Sequence, residues 1–121
     1  MRKALLVAAA LAYGGCGQKE PERTPEQVDQ ARCEDALNAF VMSKAFVRER
    51  LKAPATADFP WGTREPDVSV TYLGGCTHEV RAYVDAENSF GAKLRSRYYA
   101  KIQNKIGTDT WLILDLRIEQ H

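Results

Sequence analysis

Lys93-Leu94-Arg95-Ser96-Arg97-Tyr98-Tyr99-Ala100-Lys101-Ile102 is the stretch that decides how this chain folds. Leu94, Ser96, Tyr98, Ala100 and Ile102 alternate with Lys93, Arg95, Arg97, Tyr99 and Lys101. Successive side chains of a strand point to opposite faces, so this period of two predicts a strand with one buried and one solvated face. Upstream, Val80, Ala82 and Val84 alternate with Arg81, Tyr83 and Asp85. Further upstream, Val68, Val70 and Tyr72 alternate with Ser69 and Thr71, and Gly74-Gly75 supplies a turn. Downstream, Leu112, Leu114, Leu116 and Ile118 alternate with Trp111, Ile113, Asp115 and Arg117. Strict alternation places the four aliphatics inward and the other four outward, since a one-residue slip would exchange the faces. Four strands with short connections predict an antiparallel meander, apolar on one side.

An apolar sheet face must be covered. Thr24-Pro25-Glu26-Gln27 reads as a helix start, with threonine at the N-cap, proline in the first turn and Gln27 closing a capping box. Cys33, Ala36, Leu37, Phe40, Val47 and Leu51 then recur at three- and four-residue spacing. Lys44 falls within that stripe, where its stem can lie on apolar surface while the amine reaches water. One long helix is expected, ending near Lys52 because Pro54 disfavours helical geometry at Ala53. The fold class is therefore α+β: a single N-terminal helix laid on a four-stranded antiparallel sheet, a cystatin-like two-layer arrangement.

The amino terminus carries a different message. Met1-Arg2-Lys3 is basic, Ala4 to Ala12 is apolar, and Tyr13-Gly14-Gly15-Cys16 is a small-residue site ending in cysteine. This order matches a secretory signal peptide, and its ending resembles the lipobox of bacterial lipoproteins, in which the cysteine becomes the lipidated first residue. Tyr13 departs from the branched aliphatic residue usual at that position, and Ala10-Leu11-Ala12 offers an ordinary cleavage site after Ala12 as the alternative. That cleavage would leave a soluble periplasmic or secreted protein. The apolar run is shorter than the roughly 20 residues that span a bilayer. The expected organisation is a signal peptide over residues 1–15, a lipidated Cys16 with a disordered tether over residues 16–23, and one domain over residues 24–121. In a cell with two membranes, Gly17 after the cysteine resembles lipoproteins sorted to the outer membrane.

Removing Arg2 and Lys3 from the 17 basic residues leaves 15 against 16 acidic ones, a formal charge near −1. That balance argues against a nucleic-acid binder, which shows a basic excess. Cysteine parity bears on the anchor. With Cys16 lipidated, Cys33 and Cys76 remain as an even pair, expected to bridge in an exported domain.

Two blocks carry a resemblance. Phe46-Val47 through Leu51-Lys52-Ala53-Pro54-Ala55-Thr56-Ala57-Asp58-Phe59-Pro60 is similar to a pattern FVxxxLKxPxTAxFP. Tyr83-Val84-Asp85-Ala86-Glu87-Asn88-Ser89-Phe90-Gly91-Ala92, with Arg95 and Arg97, is similar to YVDxxNSFGAxxR. Together they resemble a family of small bacterial and phage-borne domains found behind a signal peptide or membrane segment. Members often have a cysteine in the third strand, where this chain has Ala100. The resemblance implies a fold and an exported context, and no activity.

Candidate chemistry is sparse. Cys76 and His78 are close in sequence but lack a third, orienting group for nucleophilic catalysis, and with Cys33 they do not form a four-ligand zinc set. Asp85, Glu87, Asp109 and Asp115 read as partners for nearby arginines rather than as paired catalytic acids. Asn88-Ser89-Phe90-Gly91 reads as a structural corner, with Phe90 plugging the core end. Phe59 and Trp61 read as cover for an open end of the core, with a membrane as the alternative contact. The expected binding face is the outward side of the sheet: Arg81, Tyr83, Arg95, Arg97, Tyr99, Trp111, Ile113 and Arg117, because Tyr, Trp and Arg are the residues that anchor interfaces. No catalytic residue, metal, cofactor or small-molecule substrate is expected. The expected activity is non-enzymatic binding of another envelope protein by a membrane-anchored domain, with a cystatin-like inhibitor or immunity-type protein acting on a hydrolase as the alternative.

Overall fold

Thr24 opens the first helix as the sequence suggests. In the computed structural model, which describes residues 21–121, the Thr24 hydroxyl accepts from the Gln27 backbone and the Gln27 side chain accepts from the Thr24 backbone. The helix so capped, α1, covers only Pro25–Cys33. Asp35 then caps a second helix, α2, over Ala36–Arg48, its carboxylate accepting from the Asn38 backbone N–H at 3.1 Å. The expected single long helix is thus two helices. The apolar spacing ran unbroken through Glu34-Asp35, but an aspartate that bonds the backbone three residues ahead ends one helix and begins the next. α2 also stops a turn before Lys52.

Four strands follow: β1 (Ser69–Gly74), β2 (Thr77–Glu87), β3 (Lys93–Asn104) and β4 (Trp111–Ile118). They form one antiparallel sheet in the order β1-β2-β3-β4, the expected meander. β2 and β3 pair without interruption from Thr77↔Gln103 to Glu87↔Lys93. Gly74, Gly75 and Cys76 all take positive φ in the β1–β2 turn, a conformation that glycine adopts freely and cysteine does not. Cys76 is held there by the Tyr72 hydroxyl, which accepts from its backbone N–H at 3.1 Å, and by Cys33. The two sulfurs stand at disulfide-bonding distance, 2.13 Å, with the Cα atoms 4.8 Å apart.

The inner sheet face carries Val80, Ala82 and Val84 from β2 and Tyr98, Ala100 and Ile102 from β3, all buried. Ala39, Phe40, Ser43 and Val47 of α2 close over them. The first turn of α2 departs from the expected stripe, for Ala36 and Leu37 face solvent.

β4 corrects the facing. Lys101 pairs with Asp115 but Ile102 pairs with Ile113, so Leu114 sits in a bulge. One extra residue inverts the alternation. Beyond the bulge, Leu116 and Ile118 pack on the core and Arg117 is exposed, as expected. Before it, Trp111 is buried and Ile113 packs on the core, while Leu112 and Leu114 are exposed. Trp111 and Ile113 therefore leave the expected binding face.

The two sequence blocks quoted above meet in space. Asp58 and Asp85 exchange backbone hydrogen bonds of 2.7 and 2.9 Å, and the Thr56 hydroxyl accepts from the Glu87 N–H at 2.9 Å. Lys93 adds an ion pair to Asp58. The segment after α2 thus pairs with β2 beyond the point where β1 has begun, and Thr56, Asp58, Asp85 and Glu87 of the two blocks take structural roles there.

Candidate functional site

The outer sheet face is built by the second half of the alternation. Glu79, Arg81, Tyr83 and Asp85 from β2 lie opposite Lys101, Tyr99, Arg97 and Arg95 from β3, in that order. Arg117 of β4 pairs with Tyr99 from the other side. Six of the eight expected face residues are thus brought together: Arg81, Tyr83, Arg95, Arg97, Tyr99 and Arg117. They line a shallow concavity of about 730 Å³ with Asp67 and Glu119 at its margins.

Its electrostatics are specific. The Arg95 guanidinium donates two hydrogen bonds to Asp85, at 2.8 and 2.9 Å, and stacks over the Tyr83 ring at 3.8 Å from the centroid. Hydrogen bonding from Arg95 holds the Asp85 carboxyl below its ordinary range. Arg81 lies over the Tyr99 ring at 4.7 Å and Arg117 approaches the same ring at 5.5 Å. The Tyr99 hydroxyl donates to Glu79 at 2.6 Å, and that carboxylate pushes the phenol above its usual value. Arg117 pairs with Asp115 at 2.9 Å. Among the described residues, Arg81 and Arg97 have no carboxylate within ion-pair distance. Two fixed tyrosine rings, flanked by two paired and two unpaired guanidiniums, offer flat surface and charge together. Glu79 escaped the sequence reading. Its signal was its place on the same face, two residues before Arg81.

The other candidates fall into structural roles. Asp85 and Asp115 are arginine partners, and Asp109 lies 3.6 Å from Arg32 of α1. His78 is fully buried, its Nε2 facing the Glu34 carbonyl at 3.4 Å and its ring between Tyr72 and Trp111. Asn88 forms the expected corner: its side-chain oxygen accepts from the N–H groups of Phe90 and Ala92, and Gly91 takes φ +81°. Two expectations are corrected here. Phe90 does not plug the core but stands 93% exposed at the tip of the corner, and Trp61 is 92% exposed rather than covering the core. Phe59 does cover it, meeting Tyr98 edge to face at 6.3 Å beneath Arg48. Cys16 lies outside the described residues.

No family model, curated protein or solved structure matches the chain. Among the described residues no helix is long and apolar enough to cross a membrane, and no three metal-ligating side chains cluster.

Proposed function

We propose that this chain is a lipid-anchored protein of the bacterial cell envelope that binds another envelope protein, without catalysis, through the outer face of its sheet. The observation that carries the reading is the set of Tyr83 and Tyr99 with Arg81 and Arg97, planar rings beside guanidiniums that have no carboxylate partner among the described residues. Guanidiniums bind carboxylates bidentately and stack on planar groups, so the partner surface is acidic and contains aromatic or amide faces. The anchor is Cys16 in its lipobox-like setting, and acyl chains on that residue hold the domain near its partner.

A photo-crosslinking amino acid at Tyr99 in living cells tests the face. A discrete adduct is expected from position 99, lost in the Arg81→Ala/Arg97→Ala double variant and absent when the crosslinker replaces exposed Gln30 on α1. Adducts of equal yield from both positions would refute the reading. For the anchor, Cys16→Ser is expected to abolish incorporation of a fatty-acid analogue and to move the protein into the soluble fraction.

A second reading, a cystatin-like inhibitor or immunity-type protein, draws on Phe90. That ring projects from the β2–β3 corner fixed by Asn88, in the manner of a wedge for an enzyme cleft. Loss of hydrolase inhibition on Phe90→Ala, with the Arg81/Arg97 variant still active, would select it.

A further inference from the structure

We propose that the outward face of α2, together with Trp61, lies on an anionic lipid bilayer, so that the arginine–tyrosine face of the sheet is turned away from the membrane. This rests on the lipid-anchor reading of Cys16.

Four observations support it. First, α2 contains no acidic residue over Ala36–Arg48; its charges are Lys44 and Arg48. Second, its inward positions are filled by Ala39, Phe40, Ser43 and Val47, and the positions turned outward are Leu37, Val41, Ala45 and Arg48, all exposed. Leu37 and Val41, one turn apart, are 55% and 48% exposed. An apolar stripe closed by basic residues, with acids confined to its ends at Glu34, Asp35 and Glu49, is the pattern of a helix lying in a membrane interface. Third, Trp61 stands beside this stripe. It shares a shallow depression with Leu37, Arg64 and Glu65, the last two offsetting each other in charge, and tryptophan is the side chain that settles at the headgroup level. Fourth, only the seven residues 17–23 separate Cys16 from Thr24. They reach at most about 25–30 Å, so a lipid on Cys16 keeps α1 and the start of α2 close to the bilayer.

Geometry then fixes the orientation. α2 packs on the inner face of the sheet, so its outward stripe and the outer sheet face look in opposite directions. A bilayer under α2 leaves Tyr83, Tyr99, Arg81 and Arg97 open to a partner.

Tryptophan fluorescence reads the contact directly, because the second tryptophan, Trp111, is buried. The full-length, cell-processed protein is reconstituted in phosphatidylethanolamine–phosphatidylglycerol vesicles containing acyl-brominated lipid, with Trp61→Phe supplying the Trp111 background. Loss of most of the Trp61 emission is expected, with weaker loss on phosphatidylcholine vesicles. Val41→Glu, at an exposed position, is expected to reduce the quenching while leaving the melting temperature and the membrane fraction unchanged. Membrane-bound protein whose Trp61 is unquenched overturns the contact and leaves the anchor standing. Trp61 shielded from aqueous acrylamide yet untouched by brominated lipid means that a protein covers the face, a second copy included, and also overturns it. A wild-type protein found wholly in the soluble fraction overturns both readings.

Discussion

Tyr98 takes its phenol into the core, where the hydroxyl lies 2.9 Å from the oxygen of buried Ser43. Ser43 spends its own proton on the Phe40 carbonyl at 2.7 Å, so Tyr98 is the donor. Burial disfavours the phenolate and pushes the Tyr98 pKa from 10.0 up to about 12. An acid whose folded pKa is raised stabilises the fold below its unfolded pKa, so this contribution is lost as pH rises from 10 towards 12. Tyr98→Phe is expected to flatten the alkaline fall in melting temperature, at a cost of about 1 kcal/mol near neutrality for the lost hydrogen bond. His78 gives the opposite limb. Burial lowers its pKa below 6.5, against the pull of the Glu34 carbonyl and of Glu34 and Asp35, so its contribution is present above pH 6.5 and lost on acidification. His78→Phe, scanned by thermal melting against pH, is expected to remove part of the slope on the acid side.

At the scale of elements, the β4 bulge separates residues that look alike in sequence. Leu114→Ala is expected to cost under about 1 kcal/mol because Leu114 is exposed. Trp111→Ala is expected to cost about 3–5 kcal/mol as a core truncation, by urea titration. Strict alternation would have assigned the larger loss to Leu114. The sequence could not show the bulge because Trp111-Leu112-Ile113-Leu114 is apolar on both faces, leaving the period without a preferred side. Where one face is charged, as along Arg95, Arg97 and Tyr99, the facing was legible, and the place of six residues on the outer sheet face followed from it. The helix break was hidden for a related reason: Cys33, Ala36, Leu37 and Phe40 keep helical spacing across it. Its sign was Asp35 three residues before Asn38, the N-cap bond seen here. Asp35→Ala is expected to lower stability by about 1 kcal/mol. The exposure of Trp61 and Phe90 had no signal in sequence, since neither belongs to a periodic run.

Over the whole molecule, the Cys33–Cys76 link closes a loop of 43 residues and ties the helical layer to the sheet. On the chain-entropy model this contributes about 4 kcal/mol, a large share for a domain of this size. Thermal melting with and without reductant is expected to show a fall of many degrees, and a Cys33→Ser/Cys76→Ser variant to match the reduced protein. The position of the link also governs how the domain bears load. A pull on the amino-terminal side acts first on α1, a helix of nine residues that can unravel as far as Cys33. There the crosslink diverts the tension past α2 and into the β1–β2 turn, next to the long β2–β3 ladder. The core beneath α2 is thereby spared a force applied at the amino-terminal side, and the load enters the fold at the sheet.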